Sequence, residues 1–343
     1  MTNNQVESFR THSNYIRAFA TLVGAEIPYP PGLKYLELAQ KIEQSGCLTE
    51  RPKITIDHQQ VLSSLKNAWG TESLINMGSY FVDESELVKI SNNWSVVQVY
   101  YVLYHSTQAV AVAKGFVRPD SHPKTQRLFY NLWADRNLCL EPWTLARDFE
   151  GMRNIPSRIT IDDDIHNWAL CSPVSAWSLA CLALKTTRDD HLDKSTGEAR
   201  KRKGIERRKI LRQQEAKRIK LGKSPKIRPN VSLPRLTPEE KLLVDKEESP
   251  TTIIDYFYRL RIKTNYVDSS MFTDGPENDQ QSIQVRDDLN IIAGGNLLLA
   301  ELTVRNIVGH DVFFKWISDW VRTNVPNYPT SAIRDRLQIY NKM

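Results

Sequence analysis

The chain has 343 residues, 41% of them apolar, and a formal net charge of +6. That is enough for one large or two ordinary domains around a real hydrophobic core, so external staples are not needed for folding. The charge is uneven: Lys194 to Arg228 holds fifteen Lys or Arg against three Glu, leaving the rest of the chain net acidic, the pattern of a dedicated docking surface.

In chain order, Met1 to Arg10 is polar, and no apolar run follows before Pro28-Tyr29-Pro30-Pro31, so an export signal is not expected. After this polar lead, Tyr35, Leu36, Leu38, Ala39 and Ile42 predict a short helix stopped by Ser45-Gly46. Val61, Leu62, Leu65, Ala68 and Trp69 predict a second helix, from Asp57 to Trp69, closed by Gly70. Trp94 to Ala113 lacks charge but carries Ser95, Gln98, His105, Ser106, Thr107 and Gln108, which a bilayer would penalise; it reads as a helix buried in a bundle, not a membrane span. Leu128 to Leu132 and Leu145 to Met152 continue in helical style, Ile159-Thr160-Ile161 is a short β-like piece, and Val174 to Lys185 is another apolar helix. Cys47, Cys139, Cys171 and Cys181 form no CxxC pair and no metal spacing, as expected of small buried hydrophobes in a reducing, cytoplasmic setting.

From Arg188 to Pro250 the sequence is charged, poor in aromatics and rich in Gly and Pro, which predicts an insertion or linker. Within it, Glu198 to Leu221 can form one exposed helix roughly 36 Å long. Its cations, Arg200, Lys201, Arg202, Lys203, Arg207, Arg208, Lys209, Arg212, Lys217, Arg218 and Lys220, suit the backbone of RNA or DNA and would bind it salt-sensitively with little sequence preference. A solvated insert and a surface for an acidic protein partner are the alternatives. Core-like sequence resumes at Thr251 to Thr264, Asp287 to Ile307 and the stripe Phe313, Trp316, Ile317, Trp320, Val321.

Two separated pieces resemble the HEPN superfamily, helical-bundle domains of toxin–antitoxin, antiviral and RNA-processing systems. Tyr100-Tyr101-Val102-Leu103-Tyr104-His105 followed by Ala109 to Gly115 is similar to that family's YYxLFH helix, and Ser121-His122 to its SHK-type loop. Leu260 to Asp268 resembles its LRxxADYxD helix. The resemblance implies a HEPN-like all-α bundle with an N-terminal helical extension (residues 1–80), a first bundle part (81–187), the basic insertion (188–250) and a second bundle part (251–343). It also implies a nucleic-acid-directed component of a defence or toxin-type system, with homodimerisation and, in active members, metal-independent RNA cleavage by an Arg followed four to six residues later by His. Here Arg261 has Asn265, Tyr266 and Val267 at those spacings, so Arg261, Asn265 and Tyr266 are the candidate catalytic residues and no imidazole stands among them. Tyr266, with a phenol pKa of about 10, would position a phosphate rather than act as a base.

The remaining features have structural readings beside the functional ones. His105, amid tyrosines, reads as a core histidine bonded to a neighbour, whereas His122 and His310 lie beside turns and are candidates to supply the missing imidazole. Asp162-Asp163-Asp164 with His166 matches no metal loop and reads as an N-capping turn, and Gly294-Gly295-Asn296 lacks the context of a phosphate loop. No metal, cofactor or membrane partner is expected. The alternative function is a non-enzymatic dimeric scaffold whose basic arm recruits an acidic protein.

Overall fold

The computed structural model describes residues 3–24, 33–48, 55–77, 85–135, 140–152, 173–224, 233–325 and 332–342. The fold is all-α. Its helices are α1 (Asn3–Val23), α2 (Tyr35–Gln44), α3 (His58–Met77), α4 (Ser85–Ala113), α5 (His122–Phe129), α6 (Pro173–Lys220), α7 (Pro238–Glu247), α8 (Ile253–Ile262), α9 (Met271–Asp274), α10 (Asp279–Val308), α11 (His310–Asn324) and α12 (Ala332–Tyr340). Single π-helical turns follow α5 (Tyr130–Ala134) and α8 (Lys263–Val267). Ile159-Thr160-Ile161, Asp162-Asp163-Asp164, His166, Cys139 and Cys171 lie outside the described residues.

The centre of the bundle is α4, flanked by α3 and α10. Its apolarity all round is the mark of a helix with neighbours on every side, and Val96, Val99, Tyr100, Val102, Leu103 and Val110 are all buried. α10 is long and apolar enough to cross a membrane by length and composition, and 83% of its apolar window is buried within the bundle. Gly294 and Gly295 lie inside it because α1 and α2 approach closely there. A Cβ on Gly294 would lie 2.1 Å from the Tyr35 hydroxyl, and one on Gly295 would lie 2.3 Å from Val23 Cγ1.

Three elements depart from the sequence expectation. The polar lead is helix α1, whose stripe Phe9, His12, Ile16, Phe19 and Val23 is buried against α6 and α10; His12 interrupts the apolar spacing, yet is itself buried against Tyr256. Gly70 does not end α3, which continues to Met77 with the Trp320 ring in contact with the glycine; a single glycine within a helix is tolerated. Leu145 to Met152 is not helical: β1 (Arg147–Asp148) and β2 (Gly151–Met152) form a hairpin of two-residue strands turned through Phe149 and Glu150, with Gly151 opening β2 at φ of 127°. Arg147 exchanges both backbone hydrogen bonds with Thr251, so the hairpin is tied to the start of α8.

The most consequential element is α6. Its 48 residues run unbroken through residue 188, the expected start of the insertion, for about 72 Å at about 1.5 Å per residue. Ser175 to Leu184 are buried, as are Thr187 and Arg188; beyond these the helix leaves the bundle. A return segment and α7 run back along part of it. Arg188 donates to the Asp245 carboxylate at 2.6 Å and to the Ser249 carbonyl at 3.1 Å, Ser195 donates to Glu248 at 2.7 Å, and Lys203 pairs with Glu240 at 2.6 Å.

Candidate nucleic-acid interface and the Arg261 basin

The distal half of α6 carries all eleven cations expected of the basic segment. The return segment occupies one face, taking Lys203 through Glu240 and Arg200 through the Pro234 carbonyl at 3.4 Å. Arg218 lies 4.0 Å from Glu215. Lys201, Arg202, Arg207, Arg208, Lys209, Arg212, Lys217 and Lys220 are exposed and make no ion pair among the described residues. Charges of one sign crowded on a solvated helix raise its conformational free energy and, with it, its affinity for any polyanion that replaces counterions.

The second feature is a basin of aromatic rings around Arg261, on the last turn of α8. The guanidinium carbon lies 5.5 Å from the ring centroid of Tyr100, 5.3 Å from that of Tyr101 and 5.7 Å from that of Tyr258. Such contacts attract the cation through the ring faces and leave its charge unneutralised. Arg261 makes no ion pair among the described residues, and its Nε is buried without a hydrogen-bond partner.

His122, at the start of α5, enters the same basin. Its Nδ1 is 2.6 Å from the Tyr100 hydroxyl, and its ring lies 5.1 Å from Tyr104 and 5.3 Å from Tyr258. Desolvation, followed by the Arg261 charge, lowers its pKa, so the imidazole is neutral at pH 7. Burial, offset in part by Arg261, raises the Tyr100 phenol far above its ordinary range, so that group remains protonated. When the Nδ1–H donates to the Tyr100 oxygen, Nε2 keeps its lone pair and is the available base.

His105 stacks on Tyr101 at 5.9 Å and its Nδ1 meets Gln108 Oε1 at 3.3 Å; burial lowers its pKa as well. Gln108 donates to the Pro119 carbonyl at 2.8 Å and accepts from Arg118 at 3.2 Å, which anchors the α4–α5 connection that presents His122.

The sequence-derived trio is only partly assembled. Asn265 and Tyr266 lie in the π-helical turn after α8; Tyr266 is 76% exposed, and among the described residues neither is bonded to Arg261. His310, the other candidate imidazole, stacks on Phe314 at 5.6 Å and lines a separate cleft with Glu43 and Arg305. Tyr258 and His122 complete the basin from α8 and α5, a convergence that spacing along the chain does not reveal. No group of three or more His, Cys, Asp or Glu suited to a metal occurs among the described residues.

Comparison with known proteins finds no matching family model, no similar curated protein and no similar solved structure. The geometry therefore carries the functional reading.

Proposed function

We propose that the chain binds nucleic acid through the distal half of α6 and presents a phosphodiester to the Arg261 basin, as a component of a defence or toxin-type system. The defence role comes from the HEPN resemblance alone. What supports binding is the set of exposed cations on α6 that make no ion pair among the described residues. The basin is supported by an arginine that makes no ion pair among the described residues, beside a neutral imidazole.

On RNA this pair suits cleavage by the neighbouring hydroxyl. His122 takes the 2′-hydroxyl proton, the 2′-oxygen bonds to phosphorus, and the 5′-oxygen departs with a proton from water, leaving a 2′,3′-cyclic phosphate. Arg261 stabilises the charge on the phosphorane oxygens. The test uses labelled RNA and DNA at low salt, comparing wild type with Arg207→Gln/Lys209→Gln/Arg212→Gln by fluorescence anisotropy. A loss of at least tenfold supports the α6 interface, and equal affinity rejects it. Incubation with RNA then compares wild type with Arg261→Ala and His122→Ala; equal cleavage by all three rejects the basin as the reacting site.

A second reading, the dimeric scaffold that recruits an acidic protein, is favoured by Leu87, Ile90 and Trp94, which share one stripe of α4 and are 39%, 49% and 62% exposed. Light scattering that finds a monomer at micromolar concentration removes it.

A further inference from the structure

Between α5, α6 and the segment that returns to α8 lies a cleft of about 230 Å³. Gln126 and Arg127 line it from α5, His191 and Lys194 from α6, and Glu248 and Asp255 from the return segment and the first turn of α8. Ser249, which also lines it, is tied to α6 by Arg188, which donates to the Ser249 carbonyl.

The polar groups in the cleft divide into two sets. The carboxylates are committed: Glu248 accepts from Ser195 at 2.7 Å, and Asp255 caps α8 by accepting from the Thr252 N–H at 2.7 Å and its hydroxyl at 2.9 Å. Facing them, Gln126 Nε2 is buried without a partner, and among the described residues His191 has no hydrogen bond and Arg127 and Lys194 have no ion pair. Desolvation lowers the His191 pKa, which keeps that ring neutral as a donor and acceptor. Cations at the rim that make no ion pair among the described residues, with unsatisfied neutral donors within, are what a phosphate joined to a base requires; the committed carboxylates repel the phosphate and turn it outward.

The cleft is also continuous with the cationic helix. At about 100° per residue, Lys201, Arg208 and Arg212 lie within about 40° of Lys194 around α6, about 10, 21 and 27 Å further along it. The return segment covers a different face, the one bearing Arg200, Lys203 and Gly204.

We infer that this cleft is a nucleotide site that seats an unpaired nucleotide of a single strand whose backbone then follows the Lys194–Arg212 face of α6. This rests on the proposal that α6 binds nucleic acid, and it assigns the substrate class: single strands with an accessible unpaired nucleotide, in preference to duplex.

The test measures anisotropy of a labelled 12-nucleotide single strand and of its blunt duplex against wild type, Gln126→Leu/Arg127→Ala and Lys201→Gln/Arg212→Gln. Arg127 is exposed and Gln126 Nε2 makes no bond, so the cleft variant should fold, which its thermal melt verifies. The expected result is a loss of tenfold or more on the single strand for the cleft variant with duplex affinity within twofold, while the α6 variant weakens both ligands. A cleft variant that weakens both equally, or neither, overturns the nucleotide site and leaves the α6 interface standing. Absence of wild-type binding to either ligand at low salt overturns the α6 interface and the nucleotide site with it.

Discussion

Replacing Arg336 by Leu should destabilise the bundle severely. The guanidinium is fully buried between two carboxylates, reaching Glu72 at 2.6 and 2.8 Å and Glu301 at 2.8 and 3.0 Å. Glu301 also accepts from Trp69 at 2.7 Å and from Tyr340 at 2.6 Å, so the cluster joins α3, α10 and α12. Removing the cation strands both carboxylates in the interior, and breaking a buried pair in this way costs about 3–5 kcal/mol. Against a total stability of roughly 5–15 kcal/mol, that is a fall in Tm on the order of 10 °C. Burial already pushes the Glu72 carboxyl up, so protonation relieves the stranded pair and the deficit should shrink as pH falls toward 5. Urea unfolding at pH 5 and pH 8 measures both effects, with Arg336→Leu/Glu72→Leu/Glu301→Gln as the control that removes the stranded charge. A cost below about 1 kcal/mol for the single variant, or a triple variant no more stable than the single, would refute the reasoning.

Three further outcomes are expected. Asp288, buried beside Arg17, has its carboxyl pushed up to about 7 by desolvation; the folded state then holds a proton that the unfolded state has released, so its contribution to stability falls as pH rises from about 4 to about 7. Asp288→Asn should flatten that part of the denaturation profile relative to wild type, and parallel profiles would contradict the assignment. If RNA is cleaved, the rate should fall on acidification with a midpoint below the ordinary histidine range, because desolvation and Arg261 depress His122; Arg261→Gln should move that midpoint upward, and an unmoved midpoint would show that the two groups do not interact. Gly294→Ala should cost about 1–3 kcal/mol by displacing the Tyr35 hydroxyl, despite alanine's better helix propensity; a thermal melt showing stabilisation would place Tyr35 elsewhere.

Much of the helical frame was legible because burial leaves a spacing. α2, α4 and α11 follow from apolar stripes, and the charged composition after Arg188 marks where α6 leaves the bundle. α1 was not legible, since His12 stands in its stripe and polar residues surround it; the burial of His12 against Tyr256 and Lys263 is a tertiary fact. The continuity of α6 was hidden for a related reason. Composition changes at Arg188, but nothing between Thr186 and Gly197 breaks a helix, and one glycine is tolerated.

For the site, Arg261, the tyrosines of α4 and the candidate imidazole His122 stand out as residue types, but Arg261 lies well over a hundred residues from the others, and nothing along the chain shows that they meet. Local spacing directed attention to Asn265 and Tyr266, which have the separation expected of an Arg-to-His pair but turn toward other surroundings in the π-helical segment. The α5–α6 cleft had no signal along the chain, because its lining comes from four segments, of which the Arg188 contacts tie only α6 to the return segment.

The central claim is that the free face of α6 releases counterions from a nucleic-acid backbone. The most direct measurement is the slope of log Kobs against log salt concentration for a labelled single strand, taken for wild type and for Arg207→Gln/Lys209→Gln/Arg212→Gln. With about five phosphates engaged, the wild-type slope should be about −3.5, and the variant should lose about 2 units of it. A slope near zero for wild type, or one identical in the two proteins, would contradict the account.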